Sequence, residues 1–328
     1  MCKIVNGVSI PNMPWEDCPK DCYRPVWRYK QNPVIKRHVN PTIARAYNSA
    51  VVPFEGAFIG VFRGDKYDGC PNLFIGRSKD GLHFEIEETP IHFVDENGNP
   101  VKDTDWQYDP RVIPLDGEYY IVWCDDFSGA TISVAKTKDF KTFVKYDRPF
   151  LPHNRNGVLF PRKINGRYCM LSRPSDTGHT PFGDIFLSQS YDMQFWGMHR
   201  LVKQRGFAWW NFLKIGGGPA PIETDEGWLV FIHGVAGTCN DYVYSMGAIV
   251  LDKDDPSKVL YTCKDMLLTP EELYETNGFV PGVVFPTATL CDKDTGRIAI
   301  YYGSADTCTC LAFTTVEKVM NYIKANKE

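Results

Sequence analysis

The 328-residue sequence has no run of about 18 apolar residues, the length a membrane-crossing helix requires. It has no basic cluster either: 36 Lys and Arg are interspersed with 40 Asp and Glu, for a net charge of -4. That balance gives no reason to expect a nucleic-acid partner or an anionic membrane, both of which need a concentrated basic surface. The first residues, Met-Cys-Lys-Ile-Val-Asn-Gly, lack the apolar stretch of a secretory leader. Eleven cysteines occur without any repeated pair spacing, which argues against a disulfide framework and for a reducing compartment. Cys18-x3-Cys22 and Cys308-Thr-Cys310 lack the second Cys pair or His partners of a structural zinc site, so neither a metal nor an organic cofactor is expected. Together these absences predict a soluble, cytoplasmic protein.

Aromatic residues, by contrast, are plentiful: 17 Tyr, 20 Phe and 8 Trp favour strands and supply flat faces for stacking on sugar rings. They recur in an ordered unit. Five times a short apolar strand leads through a tight turn into a second apolar strand, with turn glycines at Gly56, Gly117, Gly166, Gly227 and Gly296. Asp-Gly and Asn-Gly turns of this kind signal hairpins, because the tight primed turns require positive φ. A third strand follows each of the first four hairpins, and after three of these an aromatic returns at Phe84, Phe143 and Phe195-Trp196. Roughly four strands in about 50 to 65 residues is the size of a propeller blade. A β-sandwich would hold similar strands but no fixed order of motifs, so the expectation is all-β, a five-bladed β-propeller over residues 41–313. Residues 1–40, with Pro11, Pro14, Pro19, Pro25 and Pro33, read as an extended arm packed on it. Residues 314–328 read as a closing amphipathic helix, with Thr314 and Glu317 spaced as a capping box.

In a propeller the innermost strands ring an axis and functional residues collect at one mouth. Eight residues before the turn glycine stand Asn48 in the first repeat and Asp109 in the second. Six to eight residues after it stand Arg63, Asp125, Arg173, His233 and Ser304. Asp109 lies in Tyr108-Asp-Pro-Arg111, and a residue before proline is pushed toward extended backbone at the start of a strand, although Asp-Pro is also common turn chemistry. Asp109 is the candidate catalytic acid. If Arg155, Arg173, Lys214 and His233 face the same mouth they form a cationic cluster, whose economical explanation is a bound phosphate or carboxylate. Pairing of each cation with a separate acid is the alternative. Lys214 leads into Ile-Gly-Gly-Gly-Pro219, where glycines permit close backbone approach to a ligand.

These residues resemble glycoside hydrolase family 130, the β-mannoside phosphorylases, which are five-bladed propellers. The likeness is carried by Tyr108-Asp-Pro-Arg111, Arg155-Asn156, Leu171-Ser-Arg-Pro174, Gly216-Gly-Gly-Pro219, Phe231-Ile-His-Gly234, Val284-Phe-Pro286 and Tyr302-Gly-Ser-Ala-Asp306. The resemblance implies inverting phosphorolysis, in which inorganic phosphate attacks the anomeric carbon of a β-mannoside and releases α-mannose 1-phosphate. It makes Asp109 the proton donor, acting through the mannose 3-hydroxyl. It assigns Arg155, Asn156, Arg173, Lys214 and His233 to phosphate, and Asn48, Ser49, Arg63, Tyr108 and Asp306 to the mannose, with Tyr242 toward the phosphate or acceptor side. The Asn48-Ser49-Ala50 segment departs from the family's Asn-Pro-Gly-like form. The resemblance also implies a homo-oligomer.

The residue types agree with that reading. An inverting hydrolase needs two carboxylates spaced to admit water, whereas phosphate is already a nucleophile and needs positioning and charge neutralisation. One Asp with several cations therefore favours phosphate over water, and so a phosphorylase over a β-mannosidase hydrolase on the same fold. With the resemblance, the expected substrates are β-1,4-linked mannosides, including mannosyl-N-acetylglucosamine or manno-oligosaccharides. A mannoside-binding propeller without activity is the third possibility.

Overall fold

The computed structural model describes residues 2–5, 7–102, 104–175, 182–239 and 241–327. Five predominantly antiparallel sheets follow one another along the chain, each running outward from an inner strand. The inner strands are Ile43–Phe54, Gln107–Leu115, Asn154–Leu159, Lys214–Gly217 (continued by Ile222–Thr224) and Val284–Cys291. This is the five-bladed propeller. The five turn glycines join inner to second strands, with φ of 76°, 79°, 75°, 144° and 69° in chain order. All five therefore occupy a backbone region that a Cβ disfavours.

The apolar core lies between neighbouring blades. One cluster joins Phe58, Phe62 and Phe74 of the first blade to Leu290, Tyr301 and Phe313 of the fifth; another sets Val52 and Ile75 of the first against Ile121 and Trp123 of the second. Phe93 stacks on Trp123 with centroids 4.7 Å apart. Each such buried aromatic contributes on the order of 2–3 kcal/mol by removal from water, and the face-on contact adds about 1 kcal/mol.

The arm does more than pack on the propeller. Its residues Trp27–Arg28 pair antiparallel with Phe313 and Ala312, so the N-terminal segment supplies the outermost strand of the fifth blade and closes the ring. Arg28 then donates from Nε and Nη2 to both oxygens of Glu275, each at 2.8 Å, and Glu275 is fully buried in the short helix Leu273–Thr276. The terminal helix forms at Val316–Ala325 and buries Val316, Val319, Met320 and Ile323. Its cap differs from the expected one. Thr315 Oγ1 accepts from Lys318 N at 3.2 Å, while Thr314 remains in the strand Cys308–Thr315 and donates to Pro25 O at 2.7 Å. Thr314 pairs with Ile298 in that strand and lies two residues before the first helical residue, Val316, so Thr315, the last strand residue, takes the cap. Among the described residues no helix is long and apolar enough to cross a membrane.

Candidate active site

The site is built on a repeated irregularity. In the first three blades the pairing of inner to second strand slips at the same place: between Tyr47 and Ala50, Tyr108 and Arg111, and Arg155 and Val158. Each slip is a bulge in which two residues face one, a device that re-aims a side chain. The first bulge residues are Asn48, Asp109 and Asn156, with φ of 48°, 53° and 53°. Asn and Asp tolerate this left-handed region better than other side chains, and it turns all three out of the ladder toward the axis. The extended backbone expected for Asp109 before Pro110 is thus overridden by the bulge, although the residue does lie within the strand.

A cavity of about 240 Å³ opens at this mouth. On one side Asp109 Oδ1 accepts from Asn48 Nδ2 and from Arg63 Nη1, both at 2.9 Å, while no donor reaches Oδ2 among the described residues. Arg63 also donates from Nε to Asp65 at 3.1 Å and lies over the Tyr47 ring at 4.2 Å, so the arginine that orients Asp109 is itself fixed. Asp306 lines the same side. Burial pushes its carboxyl up to about 6; Arg63 opposes that rise and Asp109 adds to it. Gly303 makes the arrangement possible, because a Cβ there would fall 1.7 Å from Asn48 Oδ1.

The other side is cationic. Arg155 and Arg173, cross-strand partners in the third blade, both line the cavity. Neither they nor Lys214 meet a carboxylate among the described residues. Arg173 Nη1 lies 2.8 Å from His233 Nε2, and since a guanidinium only donates, Nε2 must accept and the imidazole is neutral. Burial, followed by repulsion from Arg173, Arg111 and Lys214, holds His233 well below its usual range, which agrees with that assignment. Burial likewise lowers Arg173 to about 10 and, with help from Arg173 and Arg155, lowers Lys214 to about 8. Gly216 allows this packing: a Cβ would stand 2.5 Å from the His233 ring. Asn48 Oδ1, Asn156 Oδ1 and Arg155 Nε are buried without a partner among the described residues. Buried polar atoms are seldom left so unless a ligand or water completes them. A second cavity of about 410 Å³ lies toward the opposite mouth, between Gly7, Val8, Ile10 and the later halves of the inner strands, and among the described residues no charged side chain lines it.

A carboxyl facing cations that meet no carboxylate among the described residues, across a sugar-sized cavity, is matched by what the chain is similar to. Residues 8–325 match glycoside hydrolase family 130, described as β-1,4-mannooligosaccharide phosphorylase. The chain belongs to this family. It is 54% identical to a β-1,4-mannooligosaccharide phosphorylase of Ruminococcus albus, over 99% of this chain and 98% of that protein. It is 33% identical to a β-1,2-mannobiose phosphorylase of Listeria innocua, over 76% and 68% of the two chains. The solved structure of a Listeria innocua β-1,2-mannobiose phosphorylase with β-1,2-mannobiose superposes with a TM-score of 0.81 at 26% identity, covering 92% of this chain and 99% of that one. The chain is therefore an enzyme of the mannoside phosphorylase family.

Among the residues singled out in the sequence, Asn48, Arg63, Tyr108, Asp109, Arg155, Asn156, Arg173 and Asp306 line the one cavity. Lys214 and Tyr242 are not among the lining residues: Lys214 is close enough to Arg173 and Arg155 to feel their charge, and its ammonium lies 5.2 Å from the ring of Tyr242, which is 43% exposed. His233 is fully buried behind Arg173 and does not reach the cavity surface. Ser49, the second residue of its bulge, points the other way: it is fully buried and its hydroxyl donates to Tyr47 O at 3.3 Å. In the second blade the place of Arg63, opposite the residue before the bulge, is held by Cys124, which lines the cavity. Asp125, one residue further on, is buried, accepting from Ser133 Oγ at 2.7 Å and Arg148 Nη2 at 3.1 Å. Sequence reasoning missed Cys124, Tyr244, Val280, Val283 and Phe285, which also line the cavity. Tyr244 is two residues beyond Tyr242 on the same strand, so the alternation of strand faces was the available signal.

Proposed function

We propose that the protein removes a β-1,4-linked mannosyl unit from a manno-oligosaccharide, or from mannosyl-N-acetylglucosamine, with inorganic phosphate, giving α-mannose 1-phosphate. One observation carries the reading: a single cavity holds an oriented Asp109 carboxyl on one side and, on the other, the guanidinium groups of Arg155 and Arg173, which meet no carboxylate among the described residues and have Lys214 nearby. The β-1,4 linkage is supported by the 54% identity to the Ruminococcus albus enzyme.

In this mechanism Asn48, Arg63, Tyr108 and Asp306 hold the mannose. Arg155, Asn156, Arg173 and Lys214 hold phosphate on the opposite face of the ring, where Arg gives paired donors to its oxygens. His233, neutral behind Arg173, orients that guanidinium. A phosphate oxygen forms the new bond to the anomeric carbon as the glycosidic C–O bond breaks. The departing oxygen takes a proton that originates on Asp109 and is relayed through the mannose 3-hydroxyl. The proton shed by the new phosphate monoester returns to Asp109 through solvent. No second carboxylate is required as a base, because phosphate is nucleophilic as bound. Asp306 stands with Arg63 on the sugar side, where it suits a hydroxyl rather than a water.

The test is sugar release from β-1,4- and β-1,2-linked mannobiose, each with and without phosphate, for the parent enzyme and Asp109→Asn. The proposal requires phosphate-dependent release from the β-1,4 substrate and a loss of about 100-fold or more in Asp109→Asn with an unchanged melting temperature. Preference for the β-1,2 substrate would overturn the linkage, and full activity of Asp109→Asn would overturn the acid.

A further inference from the structure

Arg111 follows Asp109 by two residues in the same inner strand and is 1% exposed. Its guanidinium meets no carboxylate among the described residues. It donates instead to three backbone carbonyls: from Nη1 to Asp109 O at 2.6 Å, from Nε to Gly218 O at 3.0 Å, and from Nη2 to Gly217 O at 3.3 Å. The side chain therefore crosses the axis from the second blade to the inner strand of the fourth. That strand also carries Lys214 and Gly216, against which His233 and Arg173 pack. The guanidinium lies 5.5 Å from the Phe285 ring centroid, and Phe285 lies 4.4 Å from the His233 ring.

Burial disfavours this guanidinium more than the nearby Asp109 charge, which does not bond to it directly, favours it, and two strands can be bridged by a neutral amide at far smaller desolvation cost. What this arginine does that a neutral bridge cannot is grip three carbonyls in one rigid plane, one of them belonging to the residue that carries the acid. Asp109 sits in the left-handed backbone region, which persists only where the surroundings enforce it.

We infer that Arg111 is a positioning residue: by tying the carbonyl of Asp109 to Gly217 and Gly218 it sets the separation between the proton-donating carboxyl and the phosphate seat. The inference rests on the assignment of Asp109 as acid and of the Arg173–Lys214 side as the phosphate seat. Releasing the clamp lets the bulge relax and the carboxyl drift, and a misplacement of about 1 Å in such a group costs about 100-fold in rate. The loss falls on protonation of the leaving oxygen, so it depends on how much the leaving group needs a proton.

Arg111→Gln and Arg111→Lys, with folding checked by circular dichroism and melting, are compared on β-1,4-mannobiose and on 4-nitrophenyl β-mannoside at saturating phosphate. A sugar alkoxide must be protonated to depart, whereas nitrophenolate leaves with little help. The clamp predicts that Arg111→Gln loses about 100-fold in kcat on mannobiose and less than about fivefold on the aryl mannoside, with KM for mannobiose within about threefold. Arg111→Lys, which reaches fewer carbonyls, falls between. Equal losses on both substrates, or a loss confined to the KM for phosphate, would overturn it. Should Arg111→Gln fail to fold, the same contrast is read on Arg111→Lys, with the same outcomes deciding. Asp109→Asn measured alongside separates the two claims. If it shows no leaving-group contrast, the assignment of the acid fails; if it does and the Arg111 variants do not, only the clamp fails.

Discussion

Lys214 offers the sharpest handle on the phosphate side. Its ammonium has no carboxylate partner among the described residues, and burial with repulsion from Arg173 and Arg155 lowers it to about 8. A cation so depressed is charged below that pH and loses its charge as pH rises through it. In the free enzyme kcat/KM for phosphate should therefore be level up to about pH 8 and fall above it. Bound phosphate favours the charged form, so the break in kcat should lie at higher pH. The size of the effect follows from what is lost. A hydrogen bond from a charged donor to an anion is worth about 1.5–3 kcal/mol net, which corresponds to about 10- to 150-fold in affinity. Lys214→Met keeps an unbranched stem beside Tyr242 but removes the charge. It should raise the KM for phosphate by that factor at pH 7, leave the KM for mannoside within about threefold, and abolish the fall above pH 8. Because the lysine is repelled by its neighbours, the variant should melt no lower than the parent. Steady-state kinetics over pH 6–10 at varied phosphate supply the assay. An unchanged phosphate KM in Lys214→Met, or a variant profile that still breaks near pH 8, would refute the reasoning.

Two further outcomes follow from the sugar side. Gly303→Ala places a methyl group 1.7 Å from Asn48 Oδ1, which must displace the donor to Asp109. It should cost about 1–3 kcal/mol in stability by denaturant melts and reduce kcat more than Ala substitution at an exposed turn glycine such as Gly98. Asp306, held near 6 in the fold against about 3.9 in an unfolded chain, binds its proton more tightly when folded. Its contribution to stability is therefore greatest at low pH and is lost as pH rises from about 4 through 6, a cost on the order of 2–3 kcal/mol once ionised. Asp306→Asn should accordingly be more stable than the parent at pH 7.5 by differential scanning calorimetry while binding mannoside more weakly. A parent protein whose stability is no nearer to that of Asp306→Asn at pH 4.5 than at pH 7.5 would contradict this.

Much of this was legible in the residues. The turn glycines marked all five hairpins because only positive φ serves such a turn, and of the polar residues counted from them Asn48, Arg63, Asp109 and Arg173 line one cavity, while Asp125, His233 and Ser304 are buried away from it. What escaped did so for physical reasons. The two-residue strand Trp27–Arg28 is too short to show a period, and it pairs with residues almost 300 positions away. Asn156 holds the same bulge position as Asn48 and Asp109, yet it lies ten residues before its turn glycine rather than eight, because Phe160–Asn165 lengthens the connection. Counting from the glycine could not align it. Ser49 follows Asn48 within its bulge but points the other way, and Asp125 lies eight residues after its glycine where the cavity-lining Arg63 and Arg173 lie seven, so the register puts Cys124 at that place instead. Arg111 was visible within Tyr108-Asp-Pro-Arg111, but its partners are carbonyls of Gly217 and Gly218, and backbone acceptors leave no mark in a sequence.

The central claim is inverting phosphorolysis driven by one acid and a bound phosphate. It is met most directly by ³¹P and ¹H NMR of the reaction with β-1,4-mannobiose, followed from the first minutes in phosphate buffer and in phosphate-free buffer. The account predicts α-mannose 1-phosphate as the first-formed product, in step with the released sugar, and no cleavage without phosphate. Free mannose appearing at the same rate in phosphate-free buffer, or the β-anomer of the phosphate ester, would contradict it.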